Sequence, residues 1–158
     1  SYLDKLSLLV EHRTDICIIH SQYVDRPRQQ REIKGLHRLI DRIHEAGLLA
    51  GISTHQVETV EICEERNYGI DTYLFPLNLT GYVYPGYPGT ETVQDRIRTV
   101  RGVNKPFVLM KTLGAGRIPP EEGLQFIAEQ AKPQDMISLG FGSVEEVDES
   151  VRWMEKYF

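Results

Sequence analysis

Short apolar runs in this chain end on polar side chains that can do chemistry. His20 closes DICIIH (from Asp15), and Ser53, Thr54 and His55 close LLAGISTH (from Leu48). Asn78 closes DTYLFPLN (from Asp71), and Lys111 lies in PFVLMKTLG (from Pro106). An imidazole so placed polarises a carbonyl or moves a proton. A lysine amine whose pKa is lowered by desolvation forms a Schiff base with a carbonyl carbon, which is lyase chemistry. His20 and His55 are also candidates for metal-dependent hydrolysis, but no Asp or Glu ends a neighbouring run to complete a ligand set, so no metal is expected. His12, His37 and His44 fall in helical segments, where solvated or core-edge roles are expected.

Two glycine-rich turns add to this set: LGAGRIPPEEG after the fourth run, and LGFGSVEEVDES after a fifth run that starts at Met136. Gly114 and Gly116 allow a close backbone approach to a ligand, and Pro119-Pro120-Glu121 suits a helix start. Ser143 and Glu146 have capping-box spacing. Each turn opens a helix, so both are expected to aim backbone N–H groups at one anion site. Glu121, Glu122, Glu145 and Glu146 would repel that anion and are expected on outer helix faces. The loop LTGYVYPGYPGTE carries Tyr82, Tyr84 and Tyr87, which either wall a flat ligand or pack on one another.

The apolar runs are nearly unbroken, as in strands of a parallel sheet buried on both faces. Between them, Ile33, Leu36, Ile40 and Ile43 step by three and four, and Gly47 sits where a helix end favours positive φ. Val93, Ile97, Val100 and Val103 repeat the pattern, as do Val147, Val151, Met154 and Phe158. A first helix from Leu3 to about Val10 precedes the first strand. The order is a helix followed by five βα units in a single α/β domain over 1–158, with a parallel five-stranded βα repeat. That order fits an open doubly wound sheet or part of a (βα)8 barrel, and in both the ligands meet the carboxyl ends of the strands.

The composition is that of a folded chain. Its 158 residues are 41% hydrophobic and 26% charged, and 18 Lys+Arg against 23 Asp+Glu give a net charge of −5. That acidity disfavours nucleic acid and anionic membranes as partners. No apolar run approaches the ~20 residues that span a bilayer. Cys17 and Cys63 share no metal-type spacing and read as buried reduced thiols, which points to a cytoplasmic protein.

At these residues the chain resembles the C-terminal part of aldo-keto reductases. DICIIH, GISTH, FPLN, MKTLGAG and GFGSVEEVDES match the family's motifs in order, from its third helix through its eighth βα unit. The resemblance implies the C-terminal part of a (βα)8 TIM barrel and NAD(P)H-dependent reduction of a small carbonyl substrate. It also implies that His20 orients the carbonyl. Ser53, Thr54, Asn78, Lys111, Thr112, Gly114, Gly116, Ser143 and Glu149 would bind NADP or NAD. The family's catalytic Asp, Tyr and Lys lie on strands outside this sequence, so the catalytic set is incomplete. The alternatives are a non-catalytic nucleotide-binding relative and a Schiff-base lyase using Lys111. Five parallel strands leave two open edges, which implies self-association or a missing N-terminal half-barrel.

Overall fold

The computed structural model describes residues 2–25 and 31–158, with side chains from Lys5 onward. The chain forms α1 (Tyr2–Glu11), β1 (Ile16–Ile19), α2 (Ser21–Val24), α3 (Leu36–Glu45), β2 (Leu49–Ser53), α4 (Val57–Glu65) and β3 (Thr72–Pro76). It continues with α5 (Val93–Gly102), β4 (Phe107–Met110), α6 (Pro120–Gln130), β5 (Met136–Ile137) and α7 (Val144–Tyr157). All five apolar runs are strands, in one sheet ordered β1-β2-β3-β4-β5. The sheet is parallel where its register is defined, with Ile18 opposite Gly51, Ile52 opposite Tyr73 and Leu109 opposite Ile137. Two compact units divide the chain, 1–74 and 75–158.

In the first unit the core is built from Ile40 and Ile43 of α3, Ala50 and Ile52 of β2, Ile62 and Cys63 of α4, and Tyr73. The three-four spacing of Leu36, Ile40 and Ile43 turns one face of α3 inward, and Gly47 (φ 78°) ends the helix as its position demands. Gly51 sits mid-strand because nothing larger fits. A Cβ there would lie 2.9 Å from Thr72 Cγ2 and 3.1 Å from Ile18 Cγ1. Cys63 is buried and Cys17 half-buried, neither in a disulfide.

The second unit packs Phe75, Leu77, Val100, Phe107, Leu109, Leu124 and Ile127. Thr92 caps α5 in a reciprocal box: its hydroxyl accepts from Asp95 N at 3.2 Å, and Asp95 Oδ2 accepts from Thr92 N at 2.8 Å. Prolines at the start of α6 do what their fixed φ suits them for.

One device recurs at the amino ends of the strands. Asp71, just before β3, accepts from Ala50 N at 2.7 Å, and Asp135, just before β5, accepts from Phe107 N at 2.8 Å. Each carboxylate satisfies a strand-end N–H of the neighbouring strand. In parallel βα folds this end serves stability, which leaves the carboxyl ends for ligands.

Candidate functional site

At the carboxyl end of β1 and β2, the first unit builds a polar cluster around Asp25. Its carboxylate accepts from the Thr54 hydroxyl, from Thr59 Oγ1 at 2.9 Å and from His55 N at 2.8 Å, and it lies 3.3 Å from His55 Nδ1. Burial pushes the Asp25 carboxyl up, but the hydrogen bonds from His55 and Thr54 outweigh it and hold it below the usual carboxylate range. Thr54 is fully buried and committed to this cluster, and Ser53 beside it is buried. His20 is exposed and caps α2, its Nδ1 accepting from Gln22 N at 3.2 Å. That bond makes Nε2 the protonated nitrogen of the neutral ring. Among the described residues no group of three or more His, Cys, Asp or Glu could hold a metal ion. Asp25 was not among the sequence candidates, because it follows the strand by six residues and no motif marks it.

The second unit carries a cavity of 740 Å³ at the carboxyl ends of β4 and β5, in the size range of small-molecule sites. The turn after β4 lines it with Lys111, Thr112, Gly116 and Arg117, and α7 with Glu146, Glu149 and Ser150. Lys111 is exposed, and among the described residues its ammonium has no hydrogen-bond or ion-pair partner. Its backbone is left-handed (φ 60°), as is that of Ala115 four residues on (φ 55°). Arg13 and Asn67 share that conformation as ordinary helix-ending residues after α1 and α4, and Arg31 (φ 48°) has it between α2 and α3. Lys111 and Ala115 end no helix, so the turn holds strain of about 1 kcal/mol or more at each. Arg117 stiffens it, donating to Gly114 O at 3.1 Å and lying over the Tyr82 ring at 4.2 Å.

Other sequence candidates sit differently from what their spacing suggested. Asn78 is buried, and its side chain is used up by its own loop: Nδ2 donates to Tyr82 O at 2.7 Å, while Oδ1 accepts from Tyr82 N at 2.9 Å and Thr80 N at 3.2 Å. Tyr84 and Tyr87 pack edge to face at 5.2 Å, so the tyrosines brace one another. The glycine turns use their N–H groups internally: Gly114 N bonds Lys111 O, Gly116 N bonds Leu113 O, and Gly142 N bonds Glu146 Oε2 at 2.7 Å. Glu146 therefore faces the cavity side of α7, not an outer face, and the expected capping box is only half made, with Ser143 accepting from Glu146 N at 3.4 Å. Glu149 lines the cavity; Ser143 only caps α7.

With this geometry in hand, comparison with known proteins fixes the architecture. A dihydrodipicolinate synthase shares the fold with a TM-score of 0.64 at 15% identity, over 97% of this chain and 54% of that one. An O-GlcNAc hydrolase mutant of Thermobaculum terrenum follows, with a TM-score of 0.58 at 8% identity, over 97% of this chain and 42% of that one. The chain has the fold of part of a (βα)8 barrel. It spans about half the length of these neighbours. No protein-family model matches the sequence, and no curated protein does.

These findings overturn the assignment to aldo-keto reductases, since the structural neighbours are a synthase and a hydrolase. The physical reason is plain. Each of the five matched motifs is a strand end or a glycine turn, and any parallel βα repeat needs such segments in that order. They report architecture, not chemistry. The carbonyl-reductase and NADP expectations rested on that resemblance and lose their support with it. Among the described residues, no helix is long and apolar enough to cross a membrane.

Proposed function

We propose that this protein is a Schiff-base lyase whose nucleophile is Lys111. One observation carries the reading: a lysine with no partner among the described residues, held in a strained backbone conformation directly after a barrel strand, on the wall of a 740 Å³ cavity. Strain kept at a ligand-facing position is a mark of function, because folding alone selects against it. The barrel fold adds support, since its chemistry is done at this end of the strands.

The steps follow from the side chains present. Lys111 first gives up its ammonium proton, with Glu149 on the same cavity placed to take it. The amine so formed attacks the carbonyl carbon of a bound substrate, a C–N bond forms, and the carbonyl electron pair moves to oxygen. Protonation of that oxygen and loss of water leave an iminium, which withdraws electrons from the adjacent carbon. A proton or a carbon fragment then leaves that carbon. Glu149, on the same cavity, is the group suited to give and take the protons. Iminium formation accelerates exchange of the protons beside a carbonyl, so incubation with ketones in D2O, followed by proton NMR, tests the reading. The wild type exchanges them faster than buffer and Lys111→Arg does not; equal exchange by the two overturns it.

A further inference from the structure

Thr112 is 1% exposed, and its Oγ1 is buried with no hydrogen-bond partner among the described residues. It lines the cavity beside Lys111. A buried hydroxyl left unpaired destabilises a fold, and valine would fill the same space without that cost. Thr112 is therefore placed for something that enters the cavity. A hydroxyl hydrogen wants an acceptor, and the charges around it say of what kind. Both cations on the cavity wall, Lys111 and Arg117, belong to the turn that carries Thr112, whereas both carboxylates, Glu146 and Glu149, belong to α7. Glu146 is also tied down by Gly142 N. The turn is thus the end of the cavity that favours negative charge.

We propose that Thr112 receives an oxoanion of the substrate, a carboxylate or a phosphate, so that Lys111 acts on oxo acids or phosphorylated carbonyl compounds and not on neutral ones. The hydroxyl donates to one anionic oxygen, which satisfies the buried group and anchors the carbonyl next to the amine. The N–H groups of Gly114 and Gly116 are not needed, being bonded within their own turn, and that of Gly142 is taken by Glu146. This rests on the reading of Lys111 as nucleophile only for the identity of the carbonyl; binding of the anion is a separate event that can be measured alone.

The test compares wild type with Thr112→Val. Titration with propionate and with inorganic phosphate, followed by amide shifts of residues 111–118, should show binding of at least one anion. Which of the two binds separates carboxylate from phosphate. Thr112→Val should weaken it by about tenfold to a hundredfold, as expected for a hydrogen bond to a charged group, while its Tm stays level or rises. Proton exchange in D2O should be faster with pyruvate or dihydroxyacetone phosphate than with acetone, and only the charged probe should lose rate in the variant. Anion binding unchanged by Thr112→Val, or acetone handled as well as both acids, overturns the proposal. If no ketone exchanges but anion binding still depends on Thr112, the Lys111 reading fails and the anion site stands.

Discussion

Asp25 and His55 are joined twice: Asp25 Oδ2 accepts from the His55 backbone N at 2.8 Å and lies 3.3 Å from the ring Nδ1. The same carboxylate takes the hydroxyls of Thr54 and Thr59, so one side chain ties the end of β2 to the start of α4.

Removing that carboxylate should be costly. Asp25→Ala removes the acceptor that Thr54, Thr59 and His55 N share, leaving the two hydroxyls their long contacts to Gln56 at 3.4 Å, a loss on the order of 3 kcal/mol. Asp25→Asn should fall between, because it keeps the shape and one acceptor. Urea unfolding of the three proteins gives the order.

The same residue sets an acid limit. Its folded pKa lies below the ordinary carboxylate value, so ionised Asp25 contributes stability in full above the unfolded pKa of about 4. That contribution declines as pH falls through the folded pKa. Between pH 6 and pH 2 the wild type should lose more stability than Asp25→Asn, read as the difference in urea midpoints. Parallel curves would contradict this.

Gly51 should tolerate no side chain. In Gly51→Ala the new methyl meets Thr72 Cγ2 at 2.9 Å and Thr72 O at 3.3 Å, and the backbone oxygen cannot swing away. Overpacking of this kind costs roughly 1–3 kcal/mol. A midpoint within error of wild type would show that β2 and β3 part more easily than their register implies.

Arg96 is 1% exposed and lies over Phe75 at 5.3 Å and Tyr87 at 5.5 Å, with Glu91 Oε2 at 3.7 Å. Tyr87 in turn donates to Glu91. Arg96→Ala removes the cation facing a half-buried carboxylate and opens a cavity beneath the tyrosine loop, so a loss of about 3–5 kcal/mol is expected. Thermal unfolding of the variant measures it.

The strands and helix faces were legible because they follow from periodicity: unbroken apolar runs are β1 to β5, and the Ile40-Ile43 step is the inner face of α3, whereas the side-by-side order of the strands has no periodic signal. The cavity was half legible. Lys111, Thr112, Gly116 and Glu149 stand out in the sequence, but their grouping with Glu146 and Ser150 depends on how α7 returns to the turn after β4, which no local pattern records. Asn78 misled because an asparagine ending a strand looks the same whether it binds a ligand or its own loop. Asp25 and Arg96 were invisible for a related reason. A buried charged residue shows in sequence only through partners, and those lie 29 or more residues away for Asp25. Family resemblance is the weakest guide here, because turns that any barrel shares carry architecture and not chemistry.

Whether Lys111 carries the chemistry is tested most directly by borohydride reduction. Treating the protein with pyruvate and sodium borohydride should transfer hydride to the imine carbon and fix the adduct as a stable secondary amine. Peptide mass mapping is then expected to find the added mass on Lys111, and Lys111→Arg to remain unlabelled. Label spread over surface lysines, or none on Lys111 with any oxo acid or phosphorylated ketone, would contradict the account.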